Sequence, residues 1–173
     1  DWPQWRGANR DGISTETGLL DAWPEAGPAQ VWKAEGIGGG YASPAIVGGK
    51  VFGTGYQDGE EVAWALNEAD GKELWKTVIA KVSYEAIEAQ YAAGPRATPS
   101  VDGDLVYVLG AAGDLACLEA ASGKLVWSKN LVKDLGGELM SGWGFSAAPL
   151  VDGDRLICTP GGAQGSVAAL DKK

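Results

Sequence analysis

Short apolar runs separated by turn-forming clusters recur along this chain, and their length and spacing predict strands rather than helices. In a first unit the strands fall at about 44–48, 50–55, 62–67 and 73–78. In a second they fall at about 99–102, 104–109, 114–119 and 124–128, and in a third at about 149–152, 154–159 and 166–170, with no fourth run. Gly48-Gly49, Asp102-Gly103 and Asp152-Gly153 interrupt the runs. They read as the central pairs of type I′ hairpin turns, in which both central residues need positive φ. Longer turns ending in Gly71-Lys72 and Gly123-Lys124 precede the last strand of a unit. Between units, Val82 to Gly94 is rich in Ala and Glu, and with Ser83 as N-cap and Gly94 as stop it predicts a short helix at about 84–93. Residues 129–144 read as a loop with one turn, and Gly36 through Gly40 as a flexible connection.

The units are copies of one another. Leu66, Gly71 and Trp75 return as Leu118, Gly123 and Trp127, each 52 positions on, and Ala169-Leu170-Asp171 opens a third copy. A second element precedes each: Ser43-Pro44-Ala45-Ile46-Val47, Thr98-Pro99-Ser100-Val101-Asp102 and Ala148-Pro149-Leu150-Val151-Asp152. Four-stranded antiparallel units repeating every 40–50 residues or so are the mark of propeller blades. A β-sandwich, the alternative, would not repeat its turn at a constant offset. The fold class is therefore all-β, a β-propeller of four-stranded antiparallel blades, incomplete here. It holds about three blades, with Val31-Trp32-Lys33 as an orphan N-terminal strand. Residues 1–30 read as an irregular N-terminal arm and 31–173 as blades, the N-terminal part of a larger propeller.

Composition narrows the chemistry. With 173 residues the chain fits one domain with a real core, and its 27 glycines match the many turns. The absence of histidine excludes a Ser-His-Asp triad, a Cys-His dyad and His-ligated zinc or haem within these residues. A net charge of −9 opposes non-specific nucleic-acid binding and anionic membrane surfaces. No apolar stretch reaches the roughly 18 residues of a membrane span. Cys117 and Cys158 lie in apolar runs without metal-ligand spacing and read as buried free thiols, a disulfide being the alternative. The start at Asp1, without Met, fits a processed or trimmed N-terminus.

The repeated turn has the form Ala-x-Asp-x-x-x-Gly-Lys-x-x-Trp, with Asn67 and Glu119 in place of the aspartate and Cys117 in place of the alanine. In this the chain resembles the pyrroloquinoline quinone (PQQ)-like, quinoprotein-type β-propeller repeat family over nearly its whole length. Asp1-Trp2-Pro3-Gln4-Trp5-Arg6-Gly7, Asn9-Arg10-Asp11-Gly12, Gly94-Pro95-Arg96-Ala97-Thr98-Pro99 and Thr159-Pro160-Gly161-Gly162 add to the likeness. They resemble bacterial PQQ-binding-like proteins, with polyvinyl alcohol dehydrogenase-like and BamB-like relatives. The resemblance implies a secreted or periplasmic protein and tryptophan-docking blades. For its dehydrogenase branch it implies PQQ and calcium as cofactors. It also implies that an N-terminal strand completes the last blade of the ring, so that four or five further blades of a longer chain are its nearest partners.

Trp32, Trp75 and Trp127, with Gly71 and Gly123 in the turns, read as structural docking residues between blades, because a ring returning over its neighbour buries a large apolar area. Propeller ligands sit at the channel mouth, near where inner strands begin. The residues just ahead of those strands are Tyr41 and Ser43, Arg96 and Thr98, and Trp143 and Ser146. Arg96 suits a carboxylate through a bidentate pair, or a structural bond to a nearby carbonyl. Trp143 suits a planar ligand or simple loop packing, and the hydroxyls suit backbone groups. Asp102, Asp104, Asp152 and Asp154 read as turn formers, and Glu60, Glu61, Glu85 and Glu88 as solvated charges. No residue stands out as a catalytic base and no set as a metal site. Gly36–Gly40 lacks the Lys-Ser/Thr and helix of a phosphate loop. Three roles remain: a binding or interaction scaffold for a protein, glycan or small molecule; a PQQ- and calcium-dependent alcohol dehydrogenase with catalytic residues partly in other blades; and a ring that docks extended peptides by strand pairing.

Overall fold

Strands form where the alternating runs stand, because each can bury both faces between neighbours while turns satisfy its ends. The computed structural model describes residues 1–84, 94–139 and 142–173. Its elements are β1 (Ala45–Val47), β2 (Lys50–Gln57), β3 (Glu60–Asn67), β4 (Glu73–Lys81), β5 (Ser100–Asp102), β6 (Leu105–Leu109), β7 (Asp114–Glu119), β8 (Leu125–Asn130), β9 (Leu150–Asp152), β10 (Arg155–Cys158) and β11 (Ala168–Asp171). They make antiparallel meanders β1-β2-β3-β4 and β5-β6-β7-β8 and a three-stranded β9-β10-β11. The helix expected at 84–93 falls almost wholly outside the described residues, as do Glu85 and Glu88.

The three sheets stand side by side in chain order, β1 against β5 and β5 against β9, as an open, incomplete propeller. Blade two is buried on both faces, so its alternation sorts residues between two interfaces. Val106, Val108, Ala116 and Leu118 pack with Phe52, Ala63, Ala65 and Trp75 of blade one. Their neighbours Tyr107, Leu109, Leu115 and Cys117 pack with Leu156 and Cys158 of blade three. The outer face of blade one, Val51, Val62, Trp64 and Leu66, is covered by Trp32, Ala34 and Ile37. Val31–Lys33 has no ladder among the described residues, and its tryptophan covers the blade. Gly36–Gly40 is pinned rather than loose: Gly39 exchanges both backbone bonds with Tyr56, at 2.8 and 2.9 Å.

The short turns depart from expectation in two of three places. Val47 pairs with Lys50, so Gly48 and Gly49 are central and both have positive φ, as a type I′ turn requires. Asp102 instead pairs with Leu105 and Asp152 with Arg155, which makes Gly103-Asp104 and Gly153-Asp154 the central pairs. Only the glycine of each has positive φ, the φ pattern of a type II′ turn with glycine first. Register, set by the ladder, moved the turn one residue along.

The long turns are built alike. Gly71 N–H donates to Asn67 O and Gly123 N–H to Glu119 O, both at 2.8 Å. Asn67 Oδ1 accepts from Ala69 N–H and Glu119 Oε2 from Ser122 O–H, so both stand-ins for the motif aspartate brace their turn. The ladder shifts register between Ala65 and Leu66 and again between Cys117 and Leu118, an irregularity repeated at the same point of each blade. Gly123 has φ +70°, and a Cβ there would lie 2.5 Å from the Trp75 ring. Gly123→Ala is therefore expected to cost about 2–3 kcal/mol, from left-handed strain plus overpacking. Chemical denaturation checks this; a loss below about 0.5 kcal/mol would contradict it.

Both cysteines are buried free thiols. Burial pushes the Cys117 thiol up to about 11 and raises that of Cys158, the opposite of a reactive thiolate.

Candidate functional site

The inner strands β1, β5 and β9 each leave one edge unpaired by their own sheet, and the N-terminal arm crosses all three at the same register. Trp2 exchanges backbone bonds with Ile46, at 2.6 and 3.0 Å. Pro3 O accepts from Val101 N–H at 2.8 Å. The Arg10 guanidinium donates to Val151 O at 2.7 Å. Ile46, Val101 and Val151 are the central residues of their strands, so residues 1–10 lie across the blades as a strap, satisfying backbone groups that would otherwise stand open.

Where β5 and β9 begin, the strap and the blades enclose a cleft of about 620 Å³. Arg96, Thr98 and Ser146, all singled out by their place ahead of inner strands, line it together. Tyr41 does not line it but lies beneath Arg96, whose guanidinium carbon is 5.2 Å from the ring centroid. Arg96 also donates to Gly94 O at 2.8 Å. Ser43 and Trp143 are exposed and are not among the lining residues. Thr98 is buried, and Ser100 donates from its hydroxyl to Pro149 O, tying the starts of β5 and β9 together. The strap contributes Gln4, Trp5, Arg6 and Arg10, which the sequence did not point to. Only a contact spanning more than 80 positions brings them beside Arg96, and no local pattern encodes it.

Trp32, Trp75 and Trp127 share one geometry. Their indole N–H groups donate to Glu68 O at 2.7 Å, Ala120 O at 3.1 Å and Lys172 O at 3.3 Å. Those carbonyls are 52 positions apart, in the long turn of the next unit. The rings of Trp32 and Trp75 lie against Gly71 and Gly123, where a side chain would intrude.

Glu61 is a correction. It is fully buried at 0% exposure, not solvated. Its Oε1 accepts from Ala111 N–H at 2.7 Å and from Tyr84 O–H at 2.6 Å. Oε2 has no hydrogen-bond partner among the described residues and rests against Gly110, where no Cβ could fit. Burial outweighs these bonds and raises the carboxyl above the ordinary 4.5, with the Asp114 charge adding and the Arg96 charge opposing. The same burial, then the Glu61 charge, raises the Tyr84 phenol. Glu61 thus reaches from blade one to the β6–β7 hairpin of blade two. Its neighbour Glu60 pairs with Lys81 near the surface at 3.5 Å.

Calcium needs six to eight oxygens converging on one point. Among the described residues no three carboxylate, thiol or imidazole groups converge so, and the cleft lining has no carboxylate. These residues do not fit a calcium site. No helix among the described residues is long and apolar enough to cross a membrane.

A family model described as outer membrane protein assembly factor BamB matches residues 59–173. No curated protein matches the chain in sequence. Among solved structures, BamB from Moraxella catarrhalis aligns with a TM-score of 0.59 at 20% identity, covering 83% of this chain and 40% of that one. The quinohemoprotein alcohol dehydrogenase ADHIIG from Pseudomonas putida HK5 gives 0.63 at 24% identity, covering 84% and 21%. The quinohemoprotein alcohol dehydrogenase from Comamonas testosteroni gives 0.59 at 23% identity, covering 82% and 21%. The chain spans well under half the length of these proteins, and at such identities the likeness is one of fold.

Proposed function

Given that this chain belongs to the family of the outer membrane protein assembly factor BamB, we propose that it serves as a periplasmic or secreted binding scaffold, presenting a ligand or partner site at the channel mouth. The observation that carries this reading is the cleft where β5 and β9 begin, walled by Arg96, Thr98 and Ser146. Guanidinium and hydroxyl groups hold and orient a ligand; at neutral pH neither is suited to take a proton from an alcohol. In the same reading residues 1–30 are the arm and 31–173 the blades. Trp32 and Trp75, seated over the turns of Gly71 and Gly123, and Trp127, bonded to Lys172 O, hold the blades to one another. The repeated indole-to-carbonyl bond supports that role.

The competing role is a PQQ- and calcium-dependent alcohol dehydrogenase whose base and calcium carboxylates come from outside these residues. Calorimetric titration of the full-length protein with PQQ and calcium, followed by a dye-linked alcohol oxidation assay, separates the two. The expected result is no calcium-dependent turnover. Tight, calcium-dependent binding with turnover would replace the scaffold by an enzyme.

A further inference from the structure

The chain has four arginines, Arg6, Arg10, Arg96 and Arg155, in a molecule of net charge −9. Three of them, Arg6, Arg10 and Arg96, line the same cleft, and among the described residues no aspartate or glutamate lines it with them. Arg6 donates to Asp11 O at 3.1 Å, and Arg10 to Val151 O at 2.7 Å and Gln4 Oε1 at 3.1 Å. Among the described residues neither Arg6 nor Arg10 forms an ion pair. Neutral carbonyls thus fix these side chains in place while leaving their charge uncompensated.

The backbone adds an independent sign. Non-glycine residues avoid positive φ, and those held there cluster at functional sites. Among the described residues three do so, Arg6 at 66°, Arg10 at 59° and Asp58 at 54°, and two of the three are the strap's arginines. The turns from Gln4 to Gly12 that impose this conformation are closed by backbone bonds, Gly7 N–H to Gln4 O and Gly12 N–H to Arg6 O, both at 3.0 Å. The strap is therefore a wall of the site as well as a cover for strand edges.

We propose that this cleft binds a small multivalent oxyanion, a di- or tricarboxylate or a phosphate ester, gripped between Arg6 and Arg10 of the strap and Arg96 of blade two. This rests on the reading of the channel mouth as a binding site and names its ligand class. Planar guanidinium groups recognise both carboxylate and phosphate through paired N–H bonds, and several of them together select for multiple charges. Thr98 and Ser146 add hydroxyl groups, and the half-exposed Trp5 an apolar wall.

The test uses the full-length protein with citrate, pyrophosphate and acetate as probes. Calorimetry at low salt is expected to show saturable binding of citrate or pyrophosphate at least tenfold tighter than acetate; whichever binds more tightly tells carboxylate from phosphate. The paired substitution R6Q/R10Q should weaken it at least tenfold, and R155Q, on the exposed start of β10, should leave it unchanged. Because losing Arg10 could release the strap, the wild-type protein provides a second readout. Phenylglyoxal labelling mapped by mass spectrometry should show Arg6, Arg10 and Arg96 protected by the bound anion and Arg155 not. No preference over acetate, or equal protection of all four arginines, overturns the proposal. Alcohol turnover with PQQ and calcium, alongside specific anion binding, would instead remove the scaffold reading and leave this one standing.

Discussion

Trp75→Ala is expected to cost about 3–5 kcal/mol, the range for emptying a buried aromatic site. The ring is 8% exposed, lies 6.0 Å from the Phe52 ring and covers the Gly123 turn of the next blade. Its N–H bond to Ala120 O crosses the same interface. Removing it opens a cavity between blades one and two and leaves the Ala120 carbonyl without that donor. Trp75→Phe keeps most of the apolar contact and loses the bond, and should cost about 1–2 kcal/mol. Trp32, only half buried, should cost less than Trp75 when truncated. Guanidinium unfolding followed by far-ultraviolet circular dichroism measures all three. If Trp75→Ala lost under about 1 kcal/mol, the ring would not be what joins these blades.

Glu61→Ala is expected to cost a similar 3–5 kcal/mol, because it strands the Ala111 N–H and the Tyr84 hydroxyl and leaves a void beside Gly110. Glu61→Gln preserves the shape and one acceptor and should cost far less. The pair also gives a pH signature. The folded carboxyl holds its proton more tightly than the unfolded one, so its contribution is fully present below the ordinary value of 4.5 and is lost as pH rises through the raised folded value. Glutamine does not titrate there. The stability of wild type relative to Glu61→Gln should therefore fall as pH rises from about 4 up through the raised folded value. A difference that rises across that window would mean that the hydrogen bonds and Arg96 outweigh burial.

These two residues differ in how visible they were beforehand. Trp75 announced itself, because Trp127 repeats it 52 positions on within the same turn, and a docked ring uses the same local geometry in each blade. Glu61 did not. It stands beside Glu60 in a pair of acids that reads as surface, and its burial depends on Gly110 and Ala111 of another blade, some 50 positions away. A second signal was in reach, since Gly110-Ala111-Ala112-Gly113 is small and apolar enough to admit a foreign side chain, but it names no occupant. The Asp-Gly turns sit between these cases: their existence was legible, while their register followed from which residues the ladder paired.

The sequence by itself determined the strands, their grouping into blades and the fold class, because alternation, turn residues and a short-range repeat are local and act the same way in every copy. Of the residues that line the cleft it marked Arg96, Thr98 and Ser146 through their place ahead of inner strands. The tertiary structure alone decided which charges are buried, that residues 1–10 lie across β1, β5 and β9, and that Arg6 and Arg10 meet Arg96. The physical reason is the same in each case. A strap held by backbone bonds and a carboxyl seated on a glycine depend on the shape of a distant surface, and that surface exists only once the blades have packed.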